Sequence, residues 1–141
     1  TSDVTNMTYF FSGCKDLKEI DLTGFDTSEV TNMGLMFHEC RALTGLDVSG
    51  FNTSKVTDMS AMFQQCNALT ELDLTGFVTD EVTDMSSMFY YAGYSATTWS
   101  VTIPKNNGAA APIANTISNL YGKTASATAT PPSGRSFTLA N

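Results

Sequence analysis

The sequence has few of the residues that usually carry catalysis or metal chemistry. It contains one histidine, His38, and three cysteines, and no two cysteines form a C-x-x-C pair. Cysteine metal and redox sites need closely spaced ligands, and catalysis needs a nucleophile or paired acid–base groups with partners. The calcium-binding EF-hand loop is also missing. We therefore expect no enzyme activity, no cofactor and no metal site.

Long apolar runs and an excess of basic residues are missing too. No stretch approaches the roughly 20 apolar residues of a membrane-spanning helix. The chain has 14 Asp and Glu against 7 Lys and Arg, which gives a net charge of -7, and every acid lies between Asp3 and Asp84. An acidic surface repels phosphate backbones and anionic lipids. Nucleic acid and a membrane span are therefore not expected.

What the sequence does have is a 26-residue unit that recurs four times. Each unit opens with V-T-[N/D]-M-x-x-[M/F]-F, beginning at Val4, Val30, Val56 and Val82. A fixed period of about 20–50 residues is typical of a solenoid, in which each unit buries its apolar face only against its neighbours. Residues 1–92 are therefore predicted to form repeats that build a binding surface rather than a pocket.

Each unit contains one segment with helical spacing and one that alternates. In the second unit, i, i+3, i+4, i+7 spacing predicts a short helix whose apolar residues are Met33, Met36, Phe37 and Cys40. Thr31 or Asn32 would cap its start. Residues 45–49 alternate like a short strand, and Asn52-Thr53-Ser54 supplies polar side chains for loop hydrogen bonds.

A Leu-x-x-Leu-x-Leu strand followed by a short helix is the leucine-rich-repeat plan. The predicted fold class is therefore α/β: a right-handed leucine-rich-repeat solenoid with parallel strands near 19–23, 45–49, 71–75 and 98–103. The Asn or Cys that usually follows the strand is replaced by Phe25, Phe51 and Phe77. An aromatic column is expected on that edge.

Residues 93–141 depart from the repeat and are predicted to form a C-terminal cap, with an independent domain as the alternative. Trp99 and Val101 are placed in the positions of Leu46 and Val48, which predicts a fourth strand. A helix is expected near 113–121 and a last strand near 136–139. Terminal units of solenoids are normally atypical because they cover the end of the core.

The three cysteines, Cys14, Cys40 and Cys66, stand at the same position of the first three units. In stacked units they would lie about 5 Å apart. Buried free thiols, which behave as small apolar residues, are predicted, and a disulfide is the alternative.

The outward positions of the predicted strands form the candidate binding strip. By alternation these residues are Glu19, Asp21, Thr23, Asp47, Ser49, Glu71, Asp73, Thr75 and Ser100. Two interpretations remain open for its acids. They either meet a basic or hydroxyl-rich partner on the concave face, or the aspartates serve each unit structurally through hydrogen bonds to backbone or Thr/Ser groups. At about 5 Å in water, neighbouring carboxylates repel by about 0.8 kcal/mol, which a solvated row tolerates.

A second candidate is an aromatic group that could stack against sugar rings, formed by Tyr90, Tyr91, Tyr94 and Trp99. The alternative is that these side chains close the core at the end of the repeats.

The sequence also resembles a known family. The phrases LDVSGFNTSKVTDM (residues 46–59) and MFQQC (residues 62–66) are similar to those of the BspA-like leucine-rich-repeat surface proteins of gut bacteria. The resemblance implies extracellular display on a cell surface and adhesion to a host or community protein or glycan. It supplies no catalytic residues. The alternative is a spacer that displays another domain of a longer surface protein.

The first unit is expected to be open at its upstream side. Thr1-Ser2-Asp3 matches Thr27-Ser28-Glu29, the end of a unit, so a targeting signal or anchor and further repeats are expected before it. Without them, an apolar face with Val4, Met7, Phe10 and Phe11 would be exposed. Self-association through this first unit is therefore expected.

Overall fold

The computed structural model describes residues 1–96, 99–103 and 125–129. These residues contain three strands, β1 (Glu71–Asp73), β2 (Trp99–Ile103) and β3 (Ala125–Ala129), and no helix. The strands form one parallel sheet in the order β1-β2-β3. The parallel pairing of β1 with β2 agrees with the arrangement expected for the third and fourth units.

Successive units lie side by side in register. Parallel bridges join Asn6 to Asn32, Asn32 to Asp58 and Asp58 to Asp84, which are equivalent positions of neighbouring units. Alternate backbone N–H groups also donate to the next unit: Leu35 to the Ser60 carbonyl at 2.8 Å and Phe37 to the Met62 carbonyl at 2.9 Å. The 26-residue period of the sequence is thus a period of backbone hydrogen bonding between units.

The predicted short helix at residues 33–40 is wrong, because these residues form consecutive turns. The N–H of Cys40 donates to the carbonyl of Phe37 at 3.2 Å, and Leu35 and Glu39 have left-handed φ values of 56° and 58°. A left-handed residue every fourth position interrupts an α-helix. Turns of this spacing still bury Met33 and Met36, so the apolar pattern alone does not distinguish the two structures.

The predicted strands at 19–23 and 45–49 are also wrong, and the predicted strand at 71–75 ends at Asp73. In each of the first three units an aspartate accepts the N–H two residues ahead, as in Ser49 to Asp47 and Thr75 to Asp73, both at 2.9 Å. This local bond turns the chain and competes with strand pairing.

The register of the fourth strand differs from the prediction. Val101 was placed in the position of Leu74, but it pairs with Leu72, and Ser100 pairs with Glu71. The irregular stretch after Ala92 therefore lengthens the spacing by two residues beyond the predicted alignment. β3 was not predicted, because its Ala/Ser/Thr sequence lacks large apolar residues. The predicted helix near 113–121 and strand near 136–139 lie outside the described residues.

A column of stacked phenylalanines runs through the core of the units. The ring centroids of Phe11 and Phe37 are 5.4 Å apart. The centroid distance is 5.7 Å between Phe37 and Phe63 and 6.0 Å between Phe63 and Phe89. In all three pairs the ring planes are within 10° of parallel. The aromatic column was expected instead at Phe25, Phe51 and Phe77. Phe51 and Phe77 are buried, but the stacked rings come from the V-T-[N/D]-M motif segment.

Buried threonines join one unit to the next. The Thr53 hydroxyl donates to the carbonyl of Val78 at 3.0 Å and accepts its N–H at 2.7 Å, and Thr27 forms the same pair of bonds with Asn52. This confirms the predicted use of Asn52-Thr53-Ser54 for loop hydrogen bonds. Within the described part of the chain, the equivalent buried hydroxyl of Thr79 has no partner.

The three cysteines are free, as predicted, but they are not equally buried. Cys40 and Cys66 are buried, whereas Cys14 in the first unit is half-buried, because no described unit covers it on that side. The thiols of Cys40 and Cys66 donate to the carbonyls of Phe11 and Phe37. Burial raises the pKa of Cys40 to about 11 and that of Cys66 further.

Thiol reactivity in the native protein should follow this gradient. We expect iodoacetamide to modify Cys14 first, Cys40 much more slowly and Cys66 last, because the thiolate is the reactive form and burial disfavours it. Peptide mass spectrometry over time gives the order, and unfolding in denaturant should make all three react alike. Equal native rates would contradict the stacked arrangement.

Two exposed glycines provide a test of the left-handed turns. Gly13 has a φ of 78° and Gly45 has no left-handed φ, and an added Cβ would meet nothing within 4 Å at either position. Gly13→Ala should therefore cost about 1–2 kcal/mol of stability through backbone strain. Gly45→Ala should be neutral or stabilising by up to about 1 kcal/mol. Urea unfolding of both variants measures the difference, and equal effects would contradict the turn geometry.

Candidate binding surface

The outward residues of three successive units lie on one exposed face. We use the name acidic strip for its charged members, Glu19, Asp21, Asp47, Glu71 and Asp73, all of which are exposed. The predicted neighbours Thr23, Ser49 and Thr75 are exposed beside them. Between them Ile20, Leu46 and Leu72 pack against the core. The backbone of Ser100 continues the row by pairing with Glu71, but its side chain lies outside the described part.

The acidic strip borders two neighbouring clefts. The larger, of about 660 Å³, is lined by Glu19, Asp47, Glu71, Leu72 and Asp73 among others. The smaller, of about 320 Å³, is lined by Asp21 and Thr23 and shares Ile20, Asp47 and Ser49 with the larger. Asp47 and Ser49 therefore lie between the two clefts.

Each aspartate of the strip also has a structural role. Oδ1 of Asp21, Asp47 and Asp73 accepts the backbone N–H of Thr23, Ser49 and Thr75, each at 2.9 Å. The hydroxyl and N–H of Ser49 hold the pKa of Asp47 below its ordinary value, and Thr23 does the same for Asp21. These bonds favour the charged form of both aspartates.

The structural role leaves one carboxylate oxygen available. Within the described residues no hydrogen bond reaches Oδ2 of Asp21, Asp47 or Asp73. The two interpretations of these aspartates are therefore compatible, because Oδ1 caps the turn while Oδ2 faces solvent. A row of such oxygens can accept hydrogen bonds from ammonium, guanidinium or hydroxyl groups.

Three of the four basic residues of the repeats form ion pairs away from the acidic strip, and Lys18 is the exception. Lys15 and Arg41 approach Glu39 at 3.5 and 3.4 Å, and Lys55 pairs with Glu29 at 2.7 Å. Among residues 1–96 no lysine or arginine forms an ion pair with the acidic strip. Its charge is therefore not neutralised by the repeats themselves.

The aromatic group is less suited to binding a sugar ring. Tyr90 and Tyr91 have ring centroids 4.5 Å apart at 87°, and Tyr91 and Tyr94 are 5.1 Å apart at 84°. Perpendicular rings share no flat face. Tyr94 is half exposed, and the side chain of Trp99 lies outside the described residues.

A second row of polar side chains, which the sequence analysis did not predict, lies at the [N/D] position of the units. Residues at the [N/D] position of each unit accept the N–H two residues ahead, as Asp58 does from Ser60 at 2.8 Å, and Asn32 also donates to Asp58 at 3.2 Å. Asn32 thus caps a turn rather than a helix. The recurrence of Asn or Asp in every unit was the available signal, and this row stabilises the stacking of units.

Residues 1–96, 99–103 and 125–129 contain neither a metal-binding cluster nor a membrane-spanning helix. No group of three or more His, Cys, Asp or Glu side chains there is placed to hold a metal ion. No helix there has the length and apolar character needed to cross a membrane.

The chain matches a known protein family over most of its length. The model of a family described as "Mycoplasma protein of unknown function, DUF285" matches residues 1–101, which includes the four units and most of β2. No curated protein and no solved structure matches the chain.

Proposed function

Because this chain belongs to the DUF285 family, whose function is unknown, we propose its role from its surface: a non-catalytic recognition module displayed outside the cell. In this proposal the units form a leucine-rich-repeat solenoid of the BspA-like type, residues 93–141 cap it, and the concave face carries the acidic strip. The partner is a host or bacterial surface protein or glycan with basic or hydroxyl groups.

One observation carries the proposal. The aspartates of the acidic strip are held by backbone hydrogen bonds, the strip lies beside a cleft of about 660 Å³, and no lysine or arginine within residues 1–96 forms an ion pair with it. Charged groups held in place before binding lose little entropy on association. A row of fixed, uncompensated charges therefore favours a partner of opposite charge.

A spacer that displays another domain is the second candidate. It is supported by the turn-capping role of Asp21, Asp47 and Asp73, since a repeated structural role accounts for the recurrence of aspartate without any ligand.

Binding measurements distinguish the two candidates. The full chain is passed over immobilised mucin and extracellular-matrix proteins at increasing salt concentration. The recognition module should bind at least one of them, and the affinity should fall as salt rises, because salt screens exposed charges. Absence of binding to the whole panel would favour the spacer, whereas binding that salt does not change would mean that the acidic strip is not the site.

A further inference from the structure

Asn52 belongs to an Asn-x-Ser/Thr sequence on an exposed part of the second unit. Residues 52–54 (NTS) and residues 6–8 (NMT) have this form, whereas Asn32 and Asn67 lack a hydroxyl residue two positions later. Asn-x-Ser/Thr, in which x is not proline, is the acceptor sequence for N-linked glycans in secreted proteins. The sequence therefore indicates two candidate asparagines, and their surroundings distinguish between them.

The carboxamide of Asn52 has its oxygen held and its nitrogen free. Oδ1 accepts the N–H of Ser54 at 3.1 Å and the hydroxyl of Ser54 at 2.7 Å. Nδ2 donates to no group among the residues that the structure describes, and Asn52 is exposed. The amide nitrogen, to which a sugar would be attached, is therefore accessible.

The two asparagines outside the acceptor sequence have engaged nitrogens. Nδ2 of Asn32 donates to Oδ2 of Asp58 at 3.2 Å, and Nδ2 of Asn67 donates to the carbonyl of Tyr91 at 3.4 Å. Both asparagines are also half-buried. Among these residues a free amide nitrogen thus accompanies the hydroxyl two positions later.

Asn6 has the same local pair as Asn52, but its hydroxyl partner is shared. The Thr8 hydroxyl lies 2.6 Å from Oδ1 of Asn6 and 2.9 Å from Oδ1 of Asn32 in the next unit. A hydroxyl has one hydrogen to donate, so this one is divided between two acceptors. The Ser54 hydroxyl donates to Asn52 alone within the described part of the chain. Asn52 is therefore the stronger candidate.

The folded repeats have room for a group on Asn52. Asp26 and Val78 occupy the equivalent positions of the neighbouring units, and both are exposed. The N–H of Asn52 donates to the Thr27 hydroxyl at 2.8 Å, and Thr53 is buried. A sugar on Nδ2 would break none of these contacts. Because the buried Thr53 fixes residues 52–54 in the folded repeats, the transfer would take place before the units stack.

We propose that Asn52 is an attachment site for an N-linked glycan, added by a glycosyltransferase from a diphosphate-activated sugar donor. Nδ2 attacks the anomeric carbon of the sugar, and the new N–C bond forms as the C–O bond to the diphosphate breaks. The diphosphate leaves with the electron pair, and the amide loses one proton to a base of the transferase. This inference shares display outside the cell with the proposed function, but it does not depend on the acidic strip.

Mass spectrometry of the full-length protein, isolated from the cells that make it, tests the proposal. The peptide that contains Asn52 should carry the added mass of one or more sugar residues, and fragmentation should place that mass on the Asn52 side chain. An Asn52 peptide found only in its unmodified form would overturn the proposal, whatever is found at Asn6.

Two variants of Ser54, produced in the same cells, separate glycan attachment from a structural role of the Asn52–Ser54 pair. Ser54→Ala keeps the N–H that bonds to Oδ1 of Asn52 and removes only the exposed hydroxyl. It should keep its melting temperature and lose the sugar, whereas Ser54→Thr should keep both. Equal modification of the two variants would overturn the assignment. A glycosylated chain that binds no mucin or matrix protein would support this inference while contradicting the proposed recognition, so the two proposals fail separately.

Discussion

Phe63→Ala should be among the most destabilising single substitutions in this protein, with a loss of about 3–5 kcal/mol in the free energy of unfolding. Phe63 is completely buried and stacks between Phe37 and Phe89, at 5.7 and 6.0 Å. Its removal leaves a cavity between two units and loses both ring contacts. Because the units stabilise each other mainly through neighbours, the damage should spread along the repeats. Urea denaturation monitored by circular dichroism measures the loss.

Phe10→Ala is the matched control for this prediction. Phe10 contacts Phe11 and Phe25 in an edge-on arrangement, but it is half exposed at the end of the repeats. Its truncation should cost less than about 1.5 kcal/mol, since less apolar area leaves the core. If both substitutions cost the same, the stacked column is not the centre of the fold.

The combined substitution Asp47→Asn with Asp73→Asn should weaken binding to a responsive mucin or matrix protein by about 10-fold or more, which corresponds to about 1.4 kcal/mol or more. Asparagine keeps an Oδ1 that can accept the N–H of Ser49 or Thr75, so the turns at both sites remain capped. Only the charge is lost. Alanine would remove the cap as well and would confuse loss of binding with loss of structure.

Asp26→Asn with Asp84→Asn gives a control with the same change in net charge. Asp26 and Asp84 accept the N–H of Ser28 and Ser86 at 2.9 Å in the same local geometry, but neither lines the clefts beside the acidic strip. The control should bind like the unchanged protein, and both variants should have similar melting temperatures. Equal loss of affinity in both would mean that overall charge, and not the strip, attracts the partner.

The sequence predicted the parts of this fold that depend on the repeat period. Val30 and Val56 recur every 26 residues, so the in-register stacking and the burial of Phe37, Met33 and Cys40 followed from the sequence. The outward positions Asp47 and Asp73 followed from alternation alone, which depends on side-chain direction and not on strand pairing. Both features persist whether the backbone is a strand or a series of turns.

The missed features depend on where backbone N–H groups find acceptors. Apolar spacing at Met33, Met36 and Phe37 fits a helix, but the N–H groups of Leu35 and Phe37 bond to the neighbouring unit, a choice that side-chain pattern does not encode. The strand register at Val101 depends on how the irregular stretch after Ala92 is accommodated. β3 has the sequence ASATA, in which no large apolar residues alternate with polar ones, so the sequence pattern does not identify it as a strand.

Recognition through the acidic strip is tested by an NMR titration with a mucin fragment or matrix protein that the full chain binds. We expect the largest shift changes at the amides of Thr23, Ser49 and Thr75, whose N–H groups are bound by the strip aspartates. Changes concentrated at Tyr90 and Tyr94, with none at these three amides, would contradict it and assign recognition to the aromatic group.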